Sequence, residues 1–177
     1  MIGPDTEGAP NAPGIEVDIA TDDRVWHDIL PDAVAICTAA VREALPDKIT
    51  ACEVSILLTD DPAVAALNEK YRDRTGPTNV LSFANIDPHH AVAAGQKMLG
   101  DIVLARETVA REAEAQGKRL ADHVAHLVVH GTLHLIGLDH RSDDDAAMME
   151  GKEAAILAAL GIADPYAIQE IGRQEVT

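Results

Sequence analysis

Aromatic side chains are nearly absent from this sequence: one Trp, two Tyr and one Phe in 177 residues. The core must therefore be built from Ala, Val, Leu and Ile, and no aromatic platform is available for stacking several bases, so any nucleic-acid contact falls mainly on the backbone. Cysteine is equally scarce. Cys37 and Cys52 show no CxxC spacing, which excludes a disulfide framework and makes buried free thiols the expectation. Positive charge is also short, with 14 Lys and Arg against 30 Asp and Glu, a net −16. Long-range repulsion then opposes broad binding to a polyanion, and local positive charge would have to steer one in. No apolar run approaches the roughly 18 residues of a membrane span, and the acidic, Pro/Gly-rich amino terminus does not read as a signal segment. The expectation is a cytoplasmic protein with no membrane partner.

What is present is an ordinary folded composition, 47% hydrophobic, at a length that suits one domain. Residues 1–13, MIGPDTEGAPNAP, hold three prolines and two glycines without apolar periodicity and read as a disordered tail. Residues 14–167 form the expected domain, and 168–177 a second tail. Ile15, Val17 and Ile19 alternate as in a half-buried strand; Pro31 to Leu45 carries helical spacing; Cys52 to Thr59 reads as a second strand. Asp60 or Asp61 can cap a helix running to about Tyr71, with Pro62 in its first turn. Val80–Ala84 and Gly100–Leu104 are further strands, separated by a loop or hairpin excursion from Asn85 to Met98. Helices follow over Arg106–Gln116, Leu120–Ile136 and Asp143–Leu160, the last with an acidic first turn that suits the helix dipole. Strands early and helices late predict an α+β fold, a small mixed β-sheet packed with helices. The Leu120–Ile136 helix is apolar nearly all round and should be the central buried one.

That helix carries HGTLHLIGLDH, His130 to His140. Residues four apart share a helix face, so His130 and His134 can aim their ring nitrogens at one point. Gly137 can take the left-handed conformation that ends a helix and swing His140 back towards them. A lone histidine on an apolar helix is usually a hydrogen-bonded core residue, the reading given to His123 and His126. Three at this spacing with a turn glycine point instead to a metal, and three ligands with an open fourth position describe a catalytic zinc. Metzincin proteases share the spacing, but their general-base Glu beside the first His is Gly131 here, so the peptidase reading lacks its base. Asp139 is the nearest acid and can serve as a base or orient a ligating imidazole.

The one concentrated basic stretch lies in LNEKYRDRTGPTNVLSF, Leu67 to Phe83, with Lys70, Arg72 and Arg74. A charge cluster is usually a solvated face, yet an Arg held before the turn at Pro77–Asn79 can offer its bidentate fork to a phosphate. Together HGTLHLIGLDH, YRDRTGPTNVLSF and LGDIVLA (Leu99 to Ala105) resemble the YbeY family of bacterial rRNA-maturation endoribonucleases, a likeness running from about Ile15 to Tyr166. The resemblance implies one Zn2+ held by His130, His134 and His140, cleavage of single-stranded RNA, and a role in 16S rRNA maturation and ribosome quality control. It also implies an important Arg72 and a partner in the small ribosomal subunit or a ribosomal protein, with no DNA expected. Leu138, Thr75 and Ala84 depart from the family pattern, which bears on the cleft wall rather than on the ligands. Two other readings stand beside it: a metal-dependent hydrolase of another substrate, and a ribosome-assembly factor whose metal is largely structural.

Overall fold

A computed structural model describes residues 14–85, 91–92 and 96–167; the two expected tails, 1–13 and 168–177, lie outside them. The sheet begins with β1 (Ile15–Thr21), paired parallel to β2 (Cys52–Thr59), which pairs parallel to β5 (Gln96–Ala105). β3 (Val80–Ala84) runs antiparallel along the other edge of β5, giving the order β1-β2-β5-β3, and the two-residue β4 (Ala91–Val92) pairs antiparallel with the start of β5. The expected small mixed sheet is thus present in an α+β fold. β5 begins at Gln96 rather than Gly100, so the end of the stretch read as an excursion is strand.

Helices α2 (Ala33–Ala44), α3 (Asp61–Arg72), α4 (Arg106–Ala115), α5 (Leu120–Leu135) and α6 (Asp143–Ala159) match the periodic segments. Their starts are set by local chemistry: Asp60 accepts from the Ala63 amide at 2.9 Å, and Ser142 accepts from the Asp145 amide at 3.1 Å ahead of three aspartates. A further short helix, α1 (Arg24–Ile29), is capped by Asp23 and buries Trp26, whose indole donates to the Thr59 carbonyl at 2.8 Å. Six residues are too few to show a period, so this element escaped the sequence reading.

The larger core joins the α2 and α5 side of the sheet through Val41, Val54, Ile56, Ile102, Leu104, Val124 and Val128. α3 covers part of the opposite face through Val64, packed on Leu81 and Val103. Ten of the sixteen residues of α5 are buried, and α5 touches α2, α4, α6, β3 and β5. A helix held on so many sides is a rigid mount for the side chains at its carboxyl end. Cys37 and Cys52 are both free and fully buried, and burial pushes the Cys37 thiol up to about 12. Among the described residues no helix is long and apolar enough to cross a membrane.

Candidate metal centre and cleft

The end of α5 places the first two histidines. Gly137 adopts φ 99°, its amide bonding the His134 carbonyl at 3.0 Å while the Leu138 amide bonds the Leu133 carbonyl at 3.0 Å. This pair of bonds is the Schellman closure, and the left-handed residue it needs is the glycine anticipated at that position. The chain then turns back and brings His140 to the first two: ring centroids are 4.6 Å apart for His130 and His134, 5.1 Å for His134 and His140, and 5.7 Å for His130 and His140. One ligand atom from each lies within 4.8 Å of the others.

The donor chemistry fits a metal ion. Nδ1 of His130 faces the Glu153 carboxylate at 2.6 Å, which leaves the lone pair on Nε2, and Nε2 lies 3.0 Å from Nε2 of His134. Three imidazole nitrogens converging in this way repel one another when protonated. His134 has its pKa lowered, first by burial and then by His130 and His140, which favours the neutral, metal-binding form. His140 is exposed, leaving a side of the trio open to the cleft.

Asp139 accepts from the His140 amide at 2.8 Å and from the Arg141 guanidinium. These two bonds hold its carboxyl below the usual carboxylate range and tie it to the loop that presents His140. Gly131, where a metzincin holds its base, packs α5 against β3 and β5: a Cβ there would lie 3.0 Å from Ser82 Oγ and 3.1 Å from two atoms of Ile102. Any side chain at this position would press on Ser82 and Ile102.

The trio opens into a cleft of about 1210 Å³, walled by β3, the end of α3 and the turn after α5. Alternate backbone groups of β3 bond to β5, as when the Asn79 carbonyl accepts from Ala105, so the groups of Ser82 point to the free edge along the cleft. Arg72 Nη2 donates to the Ser82 carbonyl at 2.6 Å, and its guanidinium carbon lies 5.6 Å from the Phe83 ring centroid. Arg74 also lines the cleft. Lys70 is not itself a lining residue; its ammonium sits 4.9 Å from the ring centroid of Tyr71, which is. In its place come Lys97, from the start of β5, and Arg141, beside His140. Among the described residues, four cations therefore share the cleft with one carboxylate, Asp139, in a chain whose net charge is −16.

A family model described as Endoribonuclease YbeY matches residues 20–161. The chain belongs to the YbeY endoribonuclease family. Endoribonuclease YbeY of Paramagnetospirillum magneticum is 48% identical over 162 residues, 88% of this chain and 98% of that one. Its counterpart in Azorhizobium caulinodans is 49% identical, covering 89% of this chain and all of the relative. The solution structure of TM1509 from Thermotoga maritima shares the fold, with a TM-score of 0.52 at 20% identity, covering 91% of this chain and 96% of that one. Of the departures from the YbeY pattern, Leu138 and Ala84 line the cleft and Thr75 does not.

The sequence reading missed the polar groups behind the histidines. Glu153 on α6 is 1% exposed and bonds His126 as well as His130, while Glu112 on α4 bonds His123 at 2.9 Å. Burial alone would raise the Glu153 pKa; hydrogen bonds from His126, His130 and the Tyr166 hydroxyl bring it down to about 2 instead. Glu153 sits three residues after Glu150 on a helix that opens with three aspartates, so nothing in the sequence sets it apart from a solvated acidic face.

Proposed function

We propose that this YbeY family member is a zinc-dependent endoribonuclease of single-stranded RNA, acting in the cytoplasm on small-subunit rRNA and in ribosome quality control. The observation that carries this reading is the convergence of three imidazole nitrogens inside the positively lined cleft of an acidic protein. His130, His134 and His140 would hold the ion; three nitrogen ligands and an open position suit zinc, which when bound supplies a Lewis acid for a phosphoryl oxygen or for water.

The side chains around the trio divide the remaining work. Arg72 spends one N–H on the Ser82 carbonyl, which anchors the guanidinium at the β3 edge and leaves its other donors for a phosphate oxygen. Arg74, Lys97 and Arg141 line the same cleft and would add phosphate contacts there. Asp139, already engaged by Arg141 and the His140 amide, serves to orient the His140 loop. The wall at Gly131 speaks against a peptidase built on the metzincin plan.

Four cations set the scale of RNA affinity. For a single strand each neutralised phosphate contributes about −0.7 to the slope of log K against log salt, so the four cations among the described lining residues correspond to a slope of about −2.8. Such binding is weak at cellular salt, and productive targeting then depends on a partner already on the small ribosomal subunit. The test is cleavage of single-stranded RNA by purified protein, with and without chelator and zinc repletion, beside casein as a peptidase substrate. RNA cleavage lost to chelator and restored by zinc is expected. Casein cleavage, or RNA cleavage indifferent to chelator, refutes the reading.

A further inference from the structure

Behind His130 lies a carboxylate that no motif marks. Glu153 Oε1 accepts from His130 Nδ1 at 2.6 Å, and Oε2 accepts from His126 Nε2 at 2.8 Å and from the Tyr166 hydroxyl. The group is 1% exposed, in a helix whose neighbouring buried residues are Met149 and Leu157. An apolar side chain of similar volume would fill such a site at little or no cost, whereas an ionised carboxylate must have its oxygens satisfied to be tolerated there. All its donors come from other elements: two from α5 and one from the segment after α6. The hydrogen bonding of the His126 ring goes through Nε2 alone, since its Nδ1 is buried with no partner among the described residues. Tyr166 packs edge-on against the same ring, 5.6 Å between centroids.

We infer that Glu153 is a positioning residue for the metal centre, which selects the Nδ1–H form of His130 and so directs the Nε2 lone pair into the trio, with His126 and Tyr166 locking the carboxylate in place. An unpinned imidazole exchanges tautomers and rotates about its Cβ–Cγ bond. A carboxylate on the distal nitrogen stops both and makes the ligating nitrogen more basic; losing such a partner typically costs about 10- to 100-fold in metal affinity. The arrangement also makes Tyr166, 36 residues beyond His130 in the chain, part of the support of the metal site. The inference rests on the reading that the three histidines hold an ion.

The experiment uses the full-length protein stripped of metal, as wild type, Glu153→Gln and Tyr166→Phe. Zinc affinity is measured by competition with a chromogenic chelator, and the histidine tautomers by 15N NMR of the metal-free protein. In the wild type His130 should carry its proton on Nδ1. Gln offers one acceptor oxygen to two imidazole donors, so Glu153→Gln should change the tautomer of His130 or His126 and weaken zinc binding about 10- to 100-fold. Tyr166→Phe, which keeps the ring packing and is expected to fold as the wild type does, should weaken it by a smaller factor. A purely structural role would lower the melting temperature and leave the zinc affinity of the folded protein alone. Affinities equal to wild type in the folded variants, or a wild-type His130 protonated on Nε2, overturn the inference. A wild type that takes up no zinc overturns the underlying metal reading instead.

Discussion

Replacing Gly100 by alanine should be among the most damaging single-methyl changes in this chain. Gly100 sits in β5 opposite Ala84 of β3, beside the irregularity between Glu53 and Val54 of β2, at φ 141°, a conformation L-residues rarely adopt. A Cβ built there lies 2.1 Å from the Phe83 carbonyl oxygen and 2.9 Å from Leu135 Cδ2, so the methyl meets β3 backbone on one side and α5 on the other. Backbone strain of about 1–3 kcal/mol adds to overpacking of about 1–3 kcal/mol, a loss of about 2–6 kcal/mol. For a domain whose whole stability is about 5–15 kcal/mol, that is a large fraction. Urea denaturation followed by circular dichroism measures it. Gly151→Ala is the control, an exposed position on α6 with nothing within 4 Å of the new Cβ, where the same change should stabilise by up to about 1 kcal/mol. A Gly100→Ala protein within about 1 kcal/mol of wild type would refute the claim that β3, β5 and α5 close on this point. It would also remove the reason for placing Ser82, and the Arg72 it anchors, against the histidine trio.

Other predictions concern the cleft and the core. Arg72→Lys keeps the charge but loses the fork that reaches Ser82 and the cleft together; RNA cleavage should fall about tenfold or more, the worth of a charge-assisted hydrogen bond of about 1.5–3 kcal/mol, with zinc content unchanged. Equal rates for Lys and Arg would mean that a point charge suffices. Lys97→Ala and Arg141→Ala should each make the salt slope of RNA binding shallower by about 0.7, whereas Lys70→Ala should leave it alone; the reverse pattern in salt titrations would put the RNA on another face. Burial keeps the Cys37 thiol protonated up to about 12 and raises that of Cys52, so Ellman's reagent should find no thiol in the native protein at pH 8 and two after denaturation. Because the thiol pKa is raised on folding, its contribution favours the native state at low pH and is lost only as pH climbs above the ordinary value of 9.0.

The parts of the molecule legible in the sequence are those set by local chemistry. The helix starts at Asp60 or Asp61 and at the acidic turn from Asp143, the end of α5 at Gly137 and the convergence of His130, His134 and His140 all follow from residues within one or two turns of each other. What stayed hidden depends on distant pairing. Lys97 and Arg141 are isolated cations, drawn into one cleft because β5 runs alongside β3 and the chain reverses after Gly137. Glu153 meets His130 through the packing of α6 on α5, which no spacing within α6 reveals. α1 was too short for periodicity, although Trp26 at its centre is the largest fully buried side chain among the described residues.

On the proposed function, the trio at the end of α5 holds a zinc ion. Elemental analysis of protein purified without added chelator tests it most directly, comparing wild type with the variant His130→Ala, His134→Ala, His140→Ala, both checked for folding by circular dichroism. About one zinc per chain is expected in the wild type, as for a three-ligand site, and none in the variant. A folded triple variant that still carries a full equivalent of zinc would contradict it.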